Sequence, residues 1–158
     1  MSLLEFCRWL QYSSPLHTMR ESPIFFPIVA TIHLMGLALI GGAVLVVDLR
    51  LLGLALQGQS VAALAHDAER WLVRGLAVMI TTGILLFMCF ATKYYYLTFF
   101  WVKMASLAVV LLFTFSIRRE VTMSDEQRIG RVRSTAVALV SLSLWTTVAI
   151  GGRWIGFP

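Results

Sequence analysis

One histidine and two cations lie within segments of this sequence that are otherwise apolar. His33 is the sole ionisable residue between Pro23 and Val47, and Lys103 and Arg153 fall within two later apolar stretches. A charged or titratable side chain in hydrocarbon costs roughly 2.5–3.5 kcal/mol on insertion scales, so each needs a partner or a purpose. Histidine in this setting is a candidate axial ligand of haem iron or a candidate proton relay.

The depths of these residues suggest a ligand with an apolar and an acidic end. His33 lies nine residues beyond Ile24, so it lies roughly 14 Å into the first span at about 1.5 Å per residue. Lys103 and Arg153 are shallower, and Arg20 precedes the span. A b-type haem matches this polarity, with its iron at His33 and its propionates toward the cations. A porphyrin or a quinone would use similar groups.

The second axial ligand of such a haem is left open by the sequence. Met79, Met88 and Met104 are candidates, and so is an open sixth position. A second histidine would have to be His17, folded in from the outer loop, or the His33 of a second subunit. Copper is an alternative ligand, since His33 with Met79, Met88 or Cys89 offers donors that suit Cu(I). A third interpretation is a non-catalytic accessory subunit of a membrane complex.

The sequence also predicts how individual side chains in and near the spans are paired or packed. The alternative to a ligand role is that His33 is a core histidine hydrogen-bonded to Thr81, Thr82 or a backbone carbonyl. Gly36, one turn beyond His33, is expected to leave room for a flat ligand. Asp48 is expected to pair with Arg74 or Arg133. Cys7 and Cys89 form neither a CxxC nor a CxxCH motif, so a disulfide and two separate buried thiols both remain open.

Composition assigns the chain to the membrane. Of its 158 residues, 59% are hydrophobic and only 13% are charged, whereas soluble domains are about half apolar and a quarter charged. This excludes a nucleic-acid binder despite the net charge of +5. Four stretches reach the approximately 20 residues that cross a bilayer. They are residues 24–47, 72–91, 97–117 and 136–155.

The remaining segments predict how the chain lies in the membrane. Residues 2–12 are expected to form an amphipathic helix in the interface. Eight of the thirteen Lys and Arg residues fall on the side with the first and third connections, so positive-inside bias predicts periplasmic termini in a bacterial inner membrane. Short connections predict that consecutive spans are antiparallel neighbours. Membrane lipid and a quinone or periplasmic redox protein are the expected partners, and a homo-oligomer is possible.

Four short motifs resemble a group of small four-span bacterial membrane proteins of unknown function. They are the sequence IHLMG at residues 32–36, VDLRLLG at 47–53, Arg74-Gly75 and Lys103-Met104. A first-span histidine, an Arg-Gly pair and a third-span lysine also distantly resemble the protoporphyrinogen oxidase HemJ and the copper-resistance protein CopD. The HemJ resemblance implies ligand or catalytic roles for His33 and Lys103.

Together, these features predict an all-α protein, a four-helix integral-membrane bundle in which residues 1–158 form a single domain. The leading functional hypothesis is binding of haem b, a porphyrin or a quinone near the outer membrane face, with a role in electron transfer. His33, Lys103, Arg153 and Arg20 are the candidate cofactor-binding residues, and His33, Met79 and Met88 are the candidate metal ligands. The sequence has no nucleophile–base pair, phosphate loop or carboxylate pair, so hydrolase or kinase chemistry has no support.

Overall fold

A computed structural model describes residues 3–12, 20–124 and 130–155 of the chain. Within these residues the fold is helical, and four helices are long and apolar enough to cross a membrane. The predicted all-α four-helix architecture and its multi-pass membrane character are thereby confirmed. We name the helices α1 to α6 along the chain.

Helix α1 covers Leu3–Tyr12, one residue inside the predicted interfacial helix. The four spanning helices are α2 (Phe25–Leu51), α3 (Val61–Cys89), α5 (Thr98–Met123) and α6 (Arg131–Trp154). The short helix α4, Ala91–Tyr96, connects α3 to α5. We call the end of the bundle with α1 and α4 the terminal end, and the opposite end, where residues 52–60 connect α2 to α3, the loop end.

Helix α3 begins eleven residues before the predicted second span. Its first turns contain the charged residues Asp67, Glu69 and Arg70. The apolar stretch begins only after them, but the helix already includes them. The Ser60 side chain caps the helix, because its hydroxyl accepts a hydrogen bond from the Ala63 N–H at 3.3 Å. Hydropathy therefore identifies the apolar part of this helix, whereas capping chemistry locates the helix start.

Two glycines permit the close crossing of α2 and α3. A Cβ atom on Gly36 would lie 3.2 Å from the Gly75 carbonyl oxygen, and one on Gly75 would lie 2.9 Å from the Ile40 side chain. Such contacts are tighter than Cβ atoms normally make, so the backbones approach only because both residues are glycine. The expectation that Gly36 leaves room for a ligand is wrong, because α3 occupies that space.

The other helix pairs leave one side of the bundle open. Helix α6 packs against both α5 and α2, while α3 contacts the last turns of α5, Arg119–Met123, at the loop end. A buried apolar cluster occupies the middle of the bundle and includes Ile40, Val44, Met79 and Trp145. Toward the terminal end α3 and α5 diverge, and the candidate site described below lies between them.

A buried ion pair links α2 to α5 near the loop end. Arg118 Nε donates a hydrogen bond to Asp48 Oδ1 at 3.0 Å, and both side chains are buried. The expected pairing of Asp48 with Arg74 or Arg133 is therefore wrong. Arg133 instead pairs with Glu120 at 2.9 Å. Arg118 reaches Asp48 from a π-helical turn, Thr114–Arg118, and the sequence analysis gave no indication of that turn.

Candidate functional site

His33 is held by a hydrogen bond from α2 to α3. Its Nδ1 atom lies 2.9 Å from the Thr82 hydroxyl oxygen, and that hydroxyl lies 2.6 Å from the Val78 carbonyl oxygen. A threonine hydroxyl has one proton, and the short contact with the carbonyl is where it donates. The hydroxyl oxygen can therefore accept from His33 Nδ1–H, and the neutral tautomer with its proton on Nδ1 has its lone pair on Nε2. The His33 ring also has a hydrogen bond with the Met79 backbone.

A glycine next to His33 makes room for its ring. A Cβ atom on Gly83 would lie 3.2 Å from His33 Cε1 and 3.7 Å from Nδ1. Gly83 and Thr82 are adjacent in α3, so one turn of that helix both accepts the histidine hydrogen bond and clears the space for the imidazole. Thr82 was predicted from the sequence as a possible partner of His33, whereas the role of Gly83 was not.

Lys103 enters the same region from α5. It packs on two glycines of α6, because a Cβ atom on Gly151 would lie 3.4 Å from Lys103 Cβ and one on Gly152 would lie 3.4 Å from its Nζ. Among the described residues, its ammonium group forms neither a hydrogen bond nor an ion pair. An amine without a counter-charge at this depth is a feature that usually accompanies function in membrane proteins.

These side chains line one cavity of about 590 Å³ at the terminal half of the bundle. Its wall comes from α2, α3, α4, α5 and the end of α6. The cavity brings together four of the six residues that the sequence predicted for cofactor or metal binding, and it adds a methionine named as an axial candidate. These lining residues are His33, Lys103, Arg153, Met79 and Met104.

Two predicted site residues are placed elsewhere. Arg20 and Met88 are not among the residues that line the cavity. Arg20 precedes α2 and lies close enough to Cys89 to affect it electrostatically. Cys7 and Cys89 are both buried free cysteines in the structure, so of the two alternatives that the sequence left open it contains the separate thiols. His17 lies outside the described residues.

Three aromatic rings border the cavity at its terminal end. Phe87, Tyr94 and Phe100 stack in nearly parallel orientations, with ring centroids separated by 5.3–6.3 Å. Each also lines the cavity. Burial raises the pKa of the Tyr94 phenol, and nearby Cys89 adds to the increase, so Tyr94 keeps its proton at neutral pH. None of these three rings was expected at the site from the sequence, because only the turn through α4 brings them together.

The donor set limits which metals this region suits. The described residues contain no group of three or more His, Cys, Asp or Glu side chains that could hold a metal ion. His33 is accompanied at the cavity by the thioethers of Met79 and Met104. One imidazole with thioether sulfurs suits haem iron or Cu(I), whereas Zn²⁺ and the oxygen-preferring cations lack ligands there.

Comparison with known proteins gives one family match. Residues 19–158 match the family described as "Family of unknown function (DUF6644)". No curated protein matches the chain, and no solved structure matches it. The resemblances to HemJ and CopD therefore stay predictions from the sequence. The match covers all four spanning helices, so the chain belongs to the DUF6644 family.

Proposed function

We propose that this member of the DUF6644 family binds a flat acidic ring, a b-type haem or a related porphyrin, in the cavity at its terminal half, and acts in electron transfer. The observation that supports this most is the state of His33. Its Nδ1 lies 2.9 Å from the Thr82 hydroxyl oxygen, its ring lines the cavity, and the tautomer with its proton on Nδ1 would leave a lone pair on Nε2. A histidine fixed through one ring nitrogen so that the other can bind a metal is the usual arrangement of protein metal ligands.

The charges around the cavity favour an acidic ligand. Lys103 and Arg153 both line it, together with Tyr94. Lys103 has no counter-charge among the described residues, so a carboxylate would relieve an unfavourable buried ammonium. These two cations would hold the propionates of a haem, while His33 would hold its iron.

The remaining wall suits the apolar body of a ring. Pockets for small molecules and cofactors typically measure about 300–1,000 Å³ and are mostly apolar with a few polar groups, and this cavity of about 590 Å³ falls in that range. Phe87 and Phe100 offer aromatic surfaces, and Met79 and Met104 offer thioether sulfurs. Haem would supply one-electron chemistry, and a thioether from Met79 or Met104 as a further iron ligand would raise its reduction potential.

A haem titration of the purified protein tests this proposal. We expect haemin to bind the detergent-solubilised protein with one site per chain, and His33→Ala to lower the affinity at least tenfold. His66→Ala is the matched control, since His66 is exposed on the first turns of α3. Equal affinities of the wild type and His33→Ala would refute the proposed role of His33.

Copper binding is a second candidate, supported by the two methionines that share the cavity with His33. Three donors of this kind suit Cu(I). Elemental analysis of the purified protein distinguishes the two proposals: iron at about one atom per chain supports haem, whereas copper that Met79→Leu and Met104→Leu both remove supports the copper site. The charges of Lys103 and Arg153 have no role in the copper proposal, which makes haem the stronger candidate.

A further inference from the structure

Arg74 is an intramembrane cation without a role in the cavity around His33. It lies in the middle of α3 and is not among the residues that line that cavity. The sequence predicted that it could pair with Asp48, but Arg118 binds that carboxylate instead. Its neighbour Gly75 is needed for the close crossing with α2. The fold therefore explains Gly75 but not Arg74.

The crossing of α2 and α3 indicates how deep Arg74 lies in the membrane. Gly75, the next residue, packs against Gly36 and Ile40, which lie on either side of the middle of α2. From Ile40 toward the loop end, α2 has no ionisable residue before Asp48, and that distance is roughly 12 Å along the helix. The α carbon of Arg74 therefore lies alongside an apolar part of α2, inside the level of the headgroups.

The Arg74 side chain is exposed on the surface of α3 and points toward the loop end. Its Cζ atom lies 5.3 Å from the centre of the Trp71 ring, which belongs to the preceding turn and is 52% exposed. The indole face attracts a guanidinium, but it does not neutralise the charge. Among the described residues, the Arg74 guanidinium forms neither a hydrogen bond nor an ion pair.

The acidic side chains in the preceding turns of α3 already have partners. Asp67 pairs with Arg70, and Glu69 pairs with Arg119 of α5. A charge without a counter-ion is costly in hydrocarbon, and arginines near the ends of spans extend toward the interface to reduce that cost. On a lipid-facing surface, the anion within reach of such a side chain is the phosphate of a phospholipid. Arginine suits this group because its planar guanidinium can donate two parallel hydrogen bonds to it.

We infer that Arg74 and Trp71 form a binding site for an anionic phospholipid in the leaflet at the loop end. The guanidinium binds the phosphate, and the Trp71 ring packs against the guanidinium and the upper part of the lipid. The carboxylates of Asp67 and Glu69 are paired within the protein, so they do not favour the ammonium group of a zwitterionic headgroup. The inference does not depend on the nature of the ligand at His33.

Fluorescence quenching by phospholipids with brominated acyl chains tests this inference, because bromine quenches an indole that it contacts. The protein without added haem is reconstituted in phosphatidylcholine that contains increasing amounts of brominated phosphatidylglycerol, or of brominated phosphatidylcholine. Subtracting the signal of Trp71→Phe isolates Trp71 from the other tryptophans. We expect phosphatidylglycerol to bind at Trp71 roughly fivefold more tightly than phosphatidylcholine, the preference that one arginine provides for an anionic lipid.

Two variants of equal charge separate a local site from general attraction. We expect Arg74→Gln to abolish the preference for phosphatidylglycerol at Trp71, and Arg131→Gln to keep it, since Arg131 is exposed on the first turn of α6 at the same end of the bundle. A preference that survives in Arg74→Gln, or is lost equally in Arg131→Gln, would overturn the inference. Equal quenching of Trp71 by the two lipids in the wild type would overturn it without any arginine variant.

Discussion

His33 Nδ1 and Thr82 Oγ1 are 2.9 Å apart, and this contact joins the only histidine of α2 to a hydroxyl whose own proton is used by the Val78 carbonyl. This pair of contacts favours one tautomer of His33, whose ring lines the cavity of about 590 Å³. The Thr82 hydrogen bond would also restrict rotation of the imidazole ring, so that Nε2 stays in one orientation. The same hydrogen bond would also satisfy a histidine that only packs in the core, so the binding experiments below distinguish the two roles.

Thr82→Val should weaken haemin binding at His33 without changing His33, the proposed iron ligand. Valine keeps the shape of threonine but cannot accept the Nδ1–H hydrogen bond. Loss of such a supporting partner typically costs 10–100-fold in metal affinity, and we expect haemin affinity to fall by that factor in an equilibrium titration. Thr81→Val is the control, because Thr81 is exposed on the adjacent position of α3. Equal losses in both variants would contradict the role assigned to Thr82.

Lys103→Gln should lower the affinity for acidic rings selectively. A hydrogen bond to a charged group contributes about 1.5–3 kcal/mol, which is roughly a 10–150-fold change in affinity. We expect Lys103→Gln to bind protoporphyrin less tightly than the wild type, and to bind the dimethyl ester of the same porphyrin as the wild type does. Fluorescence quenching measures both. A variant that lost both ligands equally would show that Lys103 supports the fold and not the carboxylates.

Gly83→Leu should block the cavity while leaving the bundle folded. The first atom of the new side chain would lie 3.2 Å from His33 Cε1, and the rest would enter the cavity. Gly42→Leu is the matched control, since nothing lies within 4 Å of a Cβ atom at Gly42. We expect ligand binding to disappear in the first variant alone, with similar circular dichroism in both. Undiminished binding to Gly83→Leu would place the ligand elsewhere.

Gly75→Ala should destabilise the crossing of α2 and α3. Its methyl group would contact the Ile40 side chain at 2.9 Å and the Gly36 carbonyl at 3.1 Å, and overpacking typically costs about 1–3 kcal/mol. Gly42→Ala meets no neighbour and should be neutral or slightly stabilising. The free energy of unfolding in mixed detergent micelles measures the difference. If Gly75→Ala were as stable as Gly42→Ala, the two helices would not pack as closely as described.

Breaking the Asp48–Arg118 pair should be more harmful than replacing it. Removing one partner of a buried ion pair typically costs about 3–5 kcal/mol, whereas apolar replacement of both is often neutral. We therefore expect Asp48→Leu and Arg118→Met each to lower the free energy of unfolding substantially, and the double variant to recover most of that loss. Additive losses in the double variant would show that the two residues act independently.

The sequence predicted the helices well because membrane crossing leaves few alternatives. Lipid cannot satisfy backbone polar groups, so apolar stretches of this length must be helical. Helix ends were less predictable. The start of α3 depends on capping by Ser60. Asp67 and Arg70 lie within its first turns and delay the apolar stretch, although the helix has already begun.

Intramembrane chemistry was predictable from the sequence only where a residue type is rare in lipid. His33 and Lys103 were recognised because polar residues in apolar helices are costly, and the cavity brings them together. Thr82 was among the partners expected for a core His33, but the partner of Asp48 was not predictable, because it depends on helix rotation and on a local turn. The π-helical turn directs Arg118 to Asp48, and the close crossing at Gly75 takes the space that Gly36 was expected to provide.

The absorption spectrum of the protein purified in detergent from haem-replete cells tests whether His33 binds haem. We expect a Soret band that shifts on reduction with dithionite, that is lost in His33→Ala, and that persists in His66→Ala. A colourless wild-type preparation without iron, or a Soret band of equal intensity in His33→Ala, would contradict haem binding by His33.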